Sequence, residues 1–456
     1  QKYIKSNITN IFDANRNLDF YFDSNNFEID KKHNLAIDLD FEHQFSKGNL
    51  SISTHFTDYS FDQDQEVESN YFDNDHSFIG ATAFNTNNNQ DTNIITAQAD
   101  YNTPLNDTST FEVGIKNSYI KTDSGTSQYD IVGGDEVLDV DNTDDFNYKE
   151  DVIAAYVNYS KDWDKWNLIL GLRTEQTYIK NTSMLSGQTN RQDYLEWFPT
   201  TSLSYAPNDR FSLYSNYKRS IERPYYQDLN PFRFYYNDNN LFVGNPNLKP
   251  KTQDHFVFGA SFLKHFIVES YYINQKNKIY VMPLQDNETN ILSYTPLNFD
   301  KTVEFGFDFI VNFYAAKDWS VYFVTSFYNI ETQTIFENIE VKQNQWSNYS
   351  ILQNDFTFLK DRSLNLNFTV YYLGKNLQGF RVVEDRWVSS LSVSKSLMQK
   401  KAVISLSAED LFNAQDYNDS NRYLNQFSSI YTNLDNRIIK LGFRYNFGNT
   451  NLKTNS

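Results

Sequence analysis

Apolar and polar residues alternate along much of this chain. In the segment IIKLGFRYNF, Ile439, Leu441 and Phe443 share one side, whereas Lys440 and Arg444 share the other. The segments SLNLNFTVYY and NLAIDLDFEH alternate in the same way. A period of two places the two sets of side chains on opposite faces of a β-sheet. We therefore predict an all-β fold built from many strands.

Short turns and long polar segments separate the predicted strands. An aromatic residue, a short polar turn and a new alternating run recur in FSKGNLSIS from Phe45, TPLNDTSTFEV from Thr103, YSKDWDKWNLIL from Tyr159, YAPNDRFSLY from Tyr205, YAAKDWSVYF from Tyr314 and FLKDRSLNL from Phe358. Between these turns lie polar segments at 63–91, 121–149, 225–250 and 418–433, which we interpret as long loops. Short turns at one end and long loops at the other are typical of outer-membrane barrels.

Alternation alone also fits a soluble β-sandwich with an aromatic core. The length of the predicted strands and the positions of the aromatic rings favour a membrane barrel over a soluble sandwich. Many alternating runs reach about ten residues, the length of a tilted membrane-spanning strand. Trp163, Trp166 and Trp319 lie at the short turns, where barrels carry aromatic girdles. We predict a transmembrane antiparallel β-barrel of about 18–22 strands, with short periplasmic turns and long extracellular loops.

Composition narrows the possible functions. The chain has 456 residues, 17% aromatic residues, no cysteine and a net charge of −18. The absence of cysteine excludes a disulfide framework, and the negative charge argues against nucleic acid as a partner. The sequence has no run of 18 apolar residues, so it predicts no transmembrane helix. It also has no zinc-binding, Walker, dinucleotide-binding or nucleophile-elbow motif. We expect neither enzymatic activity nor a cofactor.

Two motifs lie close together in the polar segment after residue 222. RPYYQDLNPF covers 223–232 and GNPNLKP covers 244–250. Together they resemble the barrel of TonB-dependent receptors, closest to the outer-membrane β-barrel subgroup, although Lys251 stands where that family usually has Glu. The residues that carry the resemblance are Arg223, Pro224, Leu229, Pro231, Gly244, Asn245, Pro246, Leu248 and Pro250.

The C-terminal part resembles the same family. AEDLFNAQ precedes the last polar segment, and the final strand ends in aromatic residues. The resemblance implies that Phe443, Tyr445 and Phe447 form a signal that the barrel-assembly machinery reads. We assign 1–447 to the barrel and 448–456 to a C-terminal tail. No plug domain is evident, and we expect a plug and further strands to precede residue 1.

The resemblance also implies a location and a function. We expect a protein of the Gram-negative outer membrane, surrounded by lipid, that takes up a nutrient ligand. TonB would drive uptake through the missing N-terminal part, and a surface lipoprotein would be a possible partner. Two alternatives remain open at this point. One is a barrel subunit that scaffolds an outer-membrane complex without transport, and the other is a passive porin.

Two sets of residues are candidate binding sites. Rings in the 225–250 segment present large contact surfaces to a ligand, although packing of the loop against itself explains them equally well. These rings are Tyr225, Tyr226, Phe232, Phe234, Tyr235, Tyr236 and Phe242. The acidic segment DEVLDVDNTDD offers oxygen ligands for Ca²⁺, but it lacks the EF-hand spacing and a solvated acidic loop is the simpler interpretation. Its candidate ligands are Asp139, Asp141, Asp144 and Asp145.

Overall fold

The computed structural model describes residues 2–13, 15–286, 288–336, 338–423 and 426–447. The predicted tail 448–456 lies outside the described residues. In chain order the elements are β1 (Lys2–Phe12), β2 (Leu18–Phe45), β3 (Gly48–Asp73), β4 (Phe78–Asn106), β5 (Ser109–Val132), β6 (Asp135–Trp163), β7 (Trp166–Ser183), β8 (Thr189–Asn208), β9 (Phe211–Glu222), α1 (Tyr226–Leu229), β10 (Arg233–Asn237), β11 (Asn240–Val243), β12 (Lys251–Phe262), β13 (Phe266–Asp286), β14 (Ile291–Ala316), β15 (Trp319–Phe336), β16 (Ile339–Phe358), β17 (Leu364–Leu373), β18 (Asn376–Gln378), β19 (Arg381–Val383), β20 (Arg386–Leu397), β21 (Ala402–Glu409), β22 (Tyr417–Tyr423), β23 (Gln426–Thr432) and β24 (Ile439–Tyr445).

The fold is all-β, as predicted. In the part of the chain that the structure describes, twenty strands belong to one large sheet, and β18, β19, β22 and β23 form a separate four-stranded sheet. Nearly all described ladders are antiparallel, with consecutive strands paired as hairpins. Among the described residues, no helix is long and apolar enough to cross a membrane.

The chain divides into two compact units. Unit 1 comprises Gln1–Ser202, Tyr217–Asp254 and Gln275–Asp300, and it contains the longest hairpins. Unit 2 comprises Leu203–Asn216, His255–Asn274 and Lys301–Ser456. It contains the ladder β15–β16–β17–β20–β21–β24 and the small sheet.

The predicted short turns are confirmed. Strand β2 ends at Phe45 and β3 begins at Gly48, and β6 ends at Trp163 and β7 begins at Trp166. Gly48 has a φ of +119°, a backbone conformation that L side chains rarely adopt. The turns near Thr103, Tyr205, Tyr314 and Phe358 likewise separate consecutive strands.

The long polar segments differ from the prediction, because most of them are paired strand rather than loop. The segment 63–91 lies in β3 and β4, which are joined by the turn 74–77, and 121–149 lies in β5 and β6, joined at 133–134. Polar side chains pair across these ladders, as in the hydrogen bond of 2.7 Å between the Ser24 and Ser69 hydroxyls. Hydrogen bonds to the partner strand satisfy the backbone whether or not lipid surrounds it. The segment 418–433 likewise forms the β22–β23 hairpin of the small sheet.

Burial along the strands is inverted relative to a soluble protein. On β2, Leu39 is 68% exposed and its apolar neighbours two residues away are also exposed. On the opposite face, polar residues such as Asn26, Thr122, Thr177 and Asn181 are almost completely buried. We call the face with exposed apolar side chains the apolar face, and the opposite face the polar face. Contiguous exposed apolar surface of this extent requires an apolar environment.

Tyrosine rings cover glycines on neighbouring strands of the polar face. A Cβ atom on Gly114 of β5 would lie 2.3 Å from the Cζ atom of Tyr156 on β6. The Tyr156 hydroxyl reaches past this glycine to donate to Asp100 on β4. In unit 2, Tyr214 covers Gly259 in the same way and donates to Glu269. Each ring therefore ties three strands in one register.

Candidate ligand-binding site

Residues 223–250, which we call the strap, lie on the polar face of unit 1. The strap contains α1 and the β10–β11 hairpin, so the interpretation of 225–250 as a long loop holds only for the residues outside these elements. The four prolines all lie outside these elements, where their missing N–H groups break no ladder. The buried strap residues Leu229, Phe232 and Leu248 pack in one cluster with Phe146 of β6 and Ile179 of β7.

The two sequence motifs contact each other. The N–H of Gly244 donates to the carbonyl of Asn230 at 3.0 Å, and the N–H of Asn245 donates to the carbonyl of Asp228 at 2.6 Å. A Cβ atom on Gly244 would lie 2.2 Å from the Asn230 carbonyl oxygen. Only glycine allows this approach, which explains why the second motif begins with it.

Arg223 anchors the start of the strap to the sheet. Its guanidinium donates to the Glu175 carboxylate and to the Thr177 hydroxyl on β7, each at 2.7 Å. The Glu150 carboxylate on β6 lies 3.9 Å away. Arg173 donates to the second oxygen of Glu175 at 2.7 Å, so this carboxylate has two cationic partners. Such a partly buried, charge-assisted network holds the strap in one position.

Side-chain amides of the sheet anchor the second motif. Asn181 of β7 and Asn190 of β8 both donate to the carbonyl of Pro246, and Gln192 donates to the carbonyl of Leu248 at 2.8 Å. The strap backbone lacks ladder partners here, and these amides satisfy its carbonyl groups. These hydrogen bonds therefore fix the strap in a defined position on the polar face.

The hairpin end of the strap contacts β1, β3 and β4. Gln65 donates to the backbone carbonyl of Tyr235 at 2.9 Å, and the Tyr71 hydroxyl donates to Asp238 at 2.7 Å. The Asn237 amide donates to Asn7 at 3.0 Å. Strand β11 also pairs in parallel with β14, beginning at Asn240↔Leu292. The strap thus touches both early and late strands of unit 1.

A cavity of about 450 Å³ lies between the strap and strands β6 to β8, and we call it the strap cavity. Its size is in the range of ligand sites in proteins. An irregularity in the β5–β6 ladder contributes one wall, because Thr126 pairs with Asp144 and Gln128 pairs with Asp139. The four residues 140–143 therefore bulge out of the ladder, and they carry Asp141 and Asn142 to the cavity.

The seven candidate aromatic side chains differ in how exposed they are to solvent. Phe232 is 5% exposed and lines the strap cavity, whereas Tyr225 is 71% exposed and Tyr236 is 44% exposed. Tyr226 and Phe234 pack against the cluster, Tyr235 lies 5.4 Å from the ring of Phe84, and Phe242 pairs with Phe234 across the hairpin. Packing thus accounts for most of these rings, and a role in ligand binding stays a prediction.

Burial also changes the acidity of strap side chains. It raises the pKa of the Asp228 carboxyl above its ordinary value, and it raises the pKa of the Tyr226 hydroxyl. The Tyr226 hydroxyl is hydrogen-bonded to Ser124 on β5, and it accepts a hydrogen bond from the Asn230 amide at 3.3 Å. Tyr226 is neutral at physiological pH and acts as a hydrogen-bonding group.

The candidate calcium ligands lie on β6, not in a loop. The Asp139 carboxylate accepts hydrogen bonds from the backbone N–H groups of Asp141 and Asn142, at 3.0 and 3.3 Å. The Asp144 carboxylate accepts from the Ser183 hydroxyl at 2.6 Å and from the N–H of Leu185 at 2.7 Å. Asp145 pairs with Gly125 in the ladder. The described residues contain no group of three or more acidic, histidine or cysteine side chains that could hold a metal ion.

The residues of the sheet that hold the strap are not identified by the sequence analysis. Glu150, Glu175, Asn181, Asn190 and Gln192 hold the strap, yet none belongs to a motif. The local signal is weak, because their outward-facing neighbours on the strands include charged side chains such as Lys180, Arg191 and Asp193 and not a regular apolar set. At the C-terminus, Phe443 is 70% and Phe447 is 89% exposed, and the Tyr445 and Phe447 rings lie 4.7 Å apart. Their proposed role as an insertion signal stays a prediction.

An exposed apolar face, a polar opposite face and consecutive strands paired as antiparallel hairpins define an outer-membrane β-barrel protein. The family model described as the outer membrane protein beta-barrel family matches residues 43–445. The chain belongs to this family, and its location is the outer membrane of a Gram-negative bacterium. A comparison with curated proteins gives no significant match.

Solved structures of transporters have a similar fold. The ferric citrate transporter FecA in its unliganded form matches with a TM-score of 0.56 and 12% identity, over 93% of this chain and 69% of FecA. The copper transporter OprC matches with a TM-score of 0.58 and 10% identity, over 91% and 75% of the two chains. The ferric yersiniabactin uptake receptor FyuA from Yersinia pestis matches with a TM-score of 0.55 and 11% identity, over 98% and 74%. At this identity the likeness shows the fold alone.

Proposed function

We propose that the chain is the barrel of an outer-membrane receptor that takes up a nutrient ligand with energy supplied through TonB. The observation that carries the proposal is the strap. A segment of 28 residues is fixed on the polar face by a partly buried ion-pair network and by side-chain amides, and it forms one wall of a cavity. Ordering so many residues has a large entropic cost, which a passive solute path would not require.

The fold supports the same proposal. FecA and FyuA are named for the uptake of ferric ligands and OprC for copper, and all three share this barrel fold. A shared fold does not establish a shared function, because function depends on specific sites. The proposal that this chain binds a ligand therefore rests on the strap cavity. In this proposal an N-terminal plug and a TonB-contacting peptide complete the receptor, and the chain itself catalyses no reaction.

Two further partners belong to the proposal. The tip of the β5–β6 hairpin exposes Val132, Val137 and Val140 at fractions of 61%, 51% and 63%. A 24-residue strand spans roughly 80 Å, whereas a membrane span needs about 9–11 residues, so this tip lies far from the lipid. Its apolar side chains suit a surface lipoprotein that docks there. The barrel-assembly machinery would read the aromatic C-terminal strand during insertion.

Uptake in living cells tests the proposed function. Strains with and without the gene are supplied with a panel of labelled nutrients, with TonB either present or depleted. We expect at least one nutrient whose uptake is lost both on gene deletion and on TonB depletion. Uptake that needs the gene but not TonB would support a porin. No difference for any nutrient, together with stable copurification of other outer-membrane proteins, would support a scaffold.

A further inference from the structure

We infer that the strap cavity binds a neutral, polyhydroxylated ligand, such as a segment of an oligosaccharide. The inference rests on the proposed function for its biological role, because it names the class of nutrient that the receptor would capture. The binding itself follows from the residues that surround the cavity.

Polar side chains with free hydrogen-bonding capacity face this space. Among the described residues, none forms a hydrogen bond with the side chains of Asp141, Gln188 or Asn247, and all three line the cavity. They come from the β6 bulge, the β7–β8 turn and the strap, so they approach the space from three sides. Carboxamide and carboxylate groups bind neighbouring hydroxyl groups well, since they offer paired acceptors and, in the amides, donors as well.

The charge of the lining argues against an anionic ligand. Among the described residues that line the cavity, Arg233 is the single cationic side chain, and it already donates to the Asn142 amide oxygen at 3.2 Å. Two carboxylates, Asp141 and Asp144, lie in the same lining. A ferric chelate with a net negative charge, or a phosphorylated ligand, would meet more negative than positive charge here. A neutral ligand has no such cost.

Apolar surfaces complete the site. Pro231 and Pro246 line the cavity beside the amides, and Phe232 adds the small part of its ring that the packing of Phe146 leaves exposed, 5%. Sugars have apolar C–H faces between their hydroxyl groups, and these faces pack on rings while the hydroxyls hydrogen-bond to amides. The combination of exposed proline surfaces with carboxamides therefore fits a sugar better than a uniformly polar or uniformly apolar ligand.

Binding to the purified full chain in detergent micelles tests the inference. The probes are an array of neutral linear oligosaccharides, which includes maltohexaose, cellohexaose and chitohexaose, an anionic ferric tricatecholate and a neutral hexapeptide. Isothermal titration follows any binding. We expect at least one neutral oligosaccharide to bind. Gln188→Ala and Asn247→Ala should each weaken it about five- to tenfold, the effect of losing roughly one hydrogen bond.

A control variant distinguishes loss of binding at the cavity from a general effect of the substitutions. Gln188 and Asn247 are exposed, so their substitution leaves the fold intact, and Asn74 in the β3–β4 turn is an equally exposed control for which Asn74→Ala should change nothing. The inference is overturned if no neutral oligosaccharide binds, if only the ferric chelate or the peptide binds, or if both cavity variants bind like the unmodified chain. Oligosaccharide binding without TonB-dependent uptake would contradict the proposed function and leave this inference standing.

Discussion

The backbone of Gly244 approaches the carbonyl of Asn230 so closely that a Cβ atom would lie only 2.2 Å from that oxygen. Gly244 belongs to the second motif and Asn230 to the first. Their contact joins the two motifs into a single structural unit, and it explains why both occur within one 28-residue segment. The position of the strap on the polar face depends on this contact.

Gly244→Ala should therefore loosen the strap. The new methyl group would displace the backbone of the first motif, and overpacking of this kind costs about 1–3 kcal/mol. We expect faster hydrogen exchange of residues 223–250 in Gly244→Ala, measured by mass spectrometry on the chain in micelles. Gly80→Ala is the matched control, because a Cβ atom there would meet nothing within 4 Å. Unchanged exchange in Gly244→Ala would show that the contact does not hold the strap.

Arg223→Met should detach the start of the strap. Among the described residues, the substitution leaves Glu175 with Arg173 as its remaining ion-pair partner and leaves Glu150 with none. Removing one member of a buried ion pair typically costs about 3–5 kcal/mol, and the 20% exposure of the Arg223 side chain puts the cost here at or below the lower end of that range. We expect limited proteolysis to cleave the strap of Arg223→Met much faster than that of the unmodified chain.

A second substitution identifies the cause of that effect. Glu150→Gln in the Arg223→Met background removes the carboxylate that has lost its cationic partner, while Glu175 keeps Arg173, so it should restore part of the resistance to proteolysis. If the double variant is cleaved as fast as Arg223→Met, the ion pair is not what anchors the strap.

The tyrosine–glycine contacts should stabilise the sheet itself. Gly114→Ala would push the Tyr156 ring out of its place, whereas Tyr156→Phe keeps the ring and removes its hydroxyl, which donates to Asp100 and accepts from the Gln98 amide at 3.1 Å. We expect Tyr156→Phe to destabilise the fold by about 1 kcal/mol and Gly114→Ala by more. The measurement is the temperature at which the folded band disappears in an electrophoretic heat-shift assay. Equal transition temperatures for all three chains would contradict this account.

The sequence predicts the strands, the short turns and the membrane location well, because alternation and turn residues are local signals. At the turn between Phe45 and Gly48, for example, prediction and structure agree. The long polar segments are different. Residues 63–91 contain the polar side chains expected of a loop, yet they pair with a neighbouring strand, and pairing depends on residues distant in sequence.

The candidate site shows the same limit. The motifs identify the strap, but Arg223 acts through Glu175, which is 48 residues away in the sequence and carries no local signal. The strap cavity also depends on a ladder irregularity at 140–143 that places Asp141 and Asn142 beside the strap. Such relationships arise from packing between distant segments and cannot be derived from composition or period.

A charge on the apolar face should prevent stable insertion. Leu39→Arg puts a cation on that face of β2, at a cost of about 2–4 kcal/mol near the bilayer midplane. Asp40→Arg, one residue further along the same strand, places the same charge on the polar face and should be tolerated. The yield of folded protein in the outer-membrane fraction distinguishes the two variants. Equal yields would show that the two faces have the same environment.

Site-directed spin labelling tests the central claim most directly, namely that the apolar face of the strands meets lipid and the polar face meets water. The chain has no cysteine, so a cysteine placed singly at position 37, 39 or 41, or at 38, 40 or 42, carries a unique label. In reconstituted bilayers, labels at 37, 39 and 41 should collide with dissolved oxygen and not with a water-soluble nickel chelate. Labels at 38, 40 and 42 should show the opposite preference. The same accessibility at all six positions, or a chain that stays folded in buffer without detergent or lipid, would contradict the account.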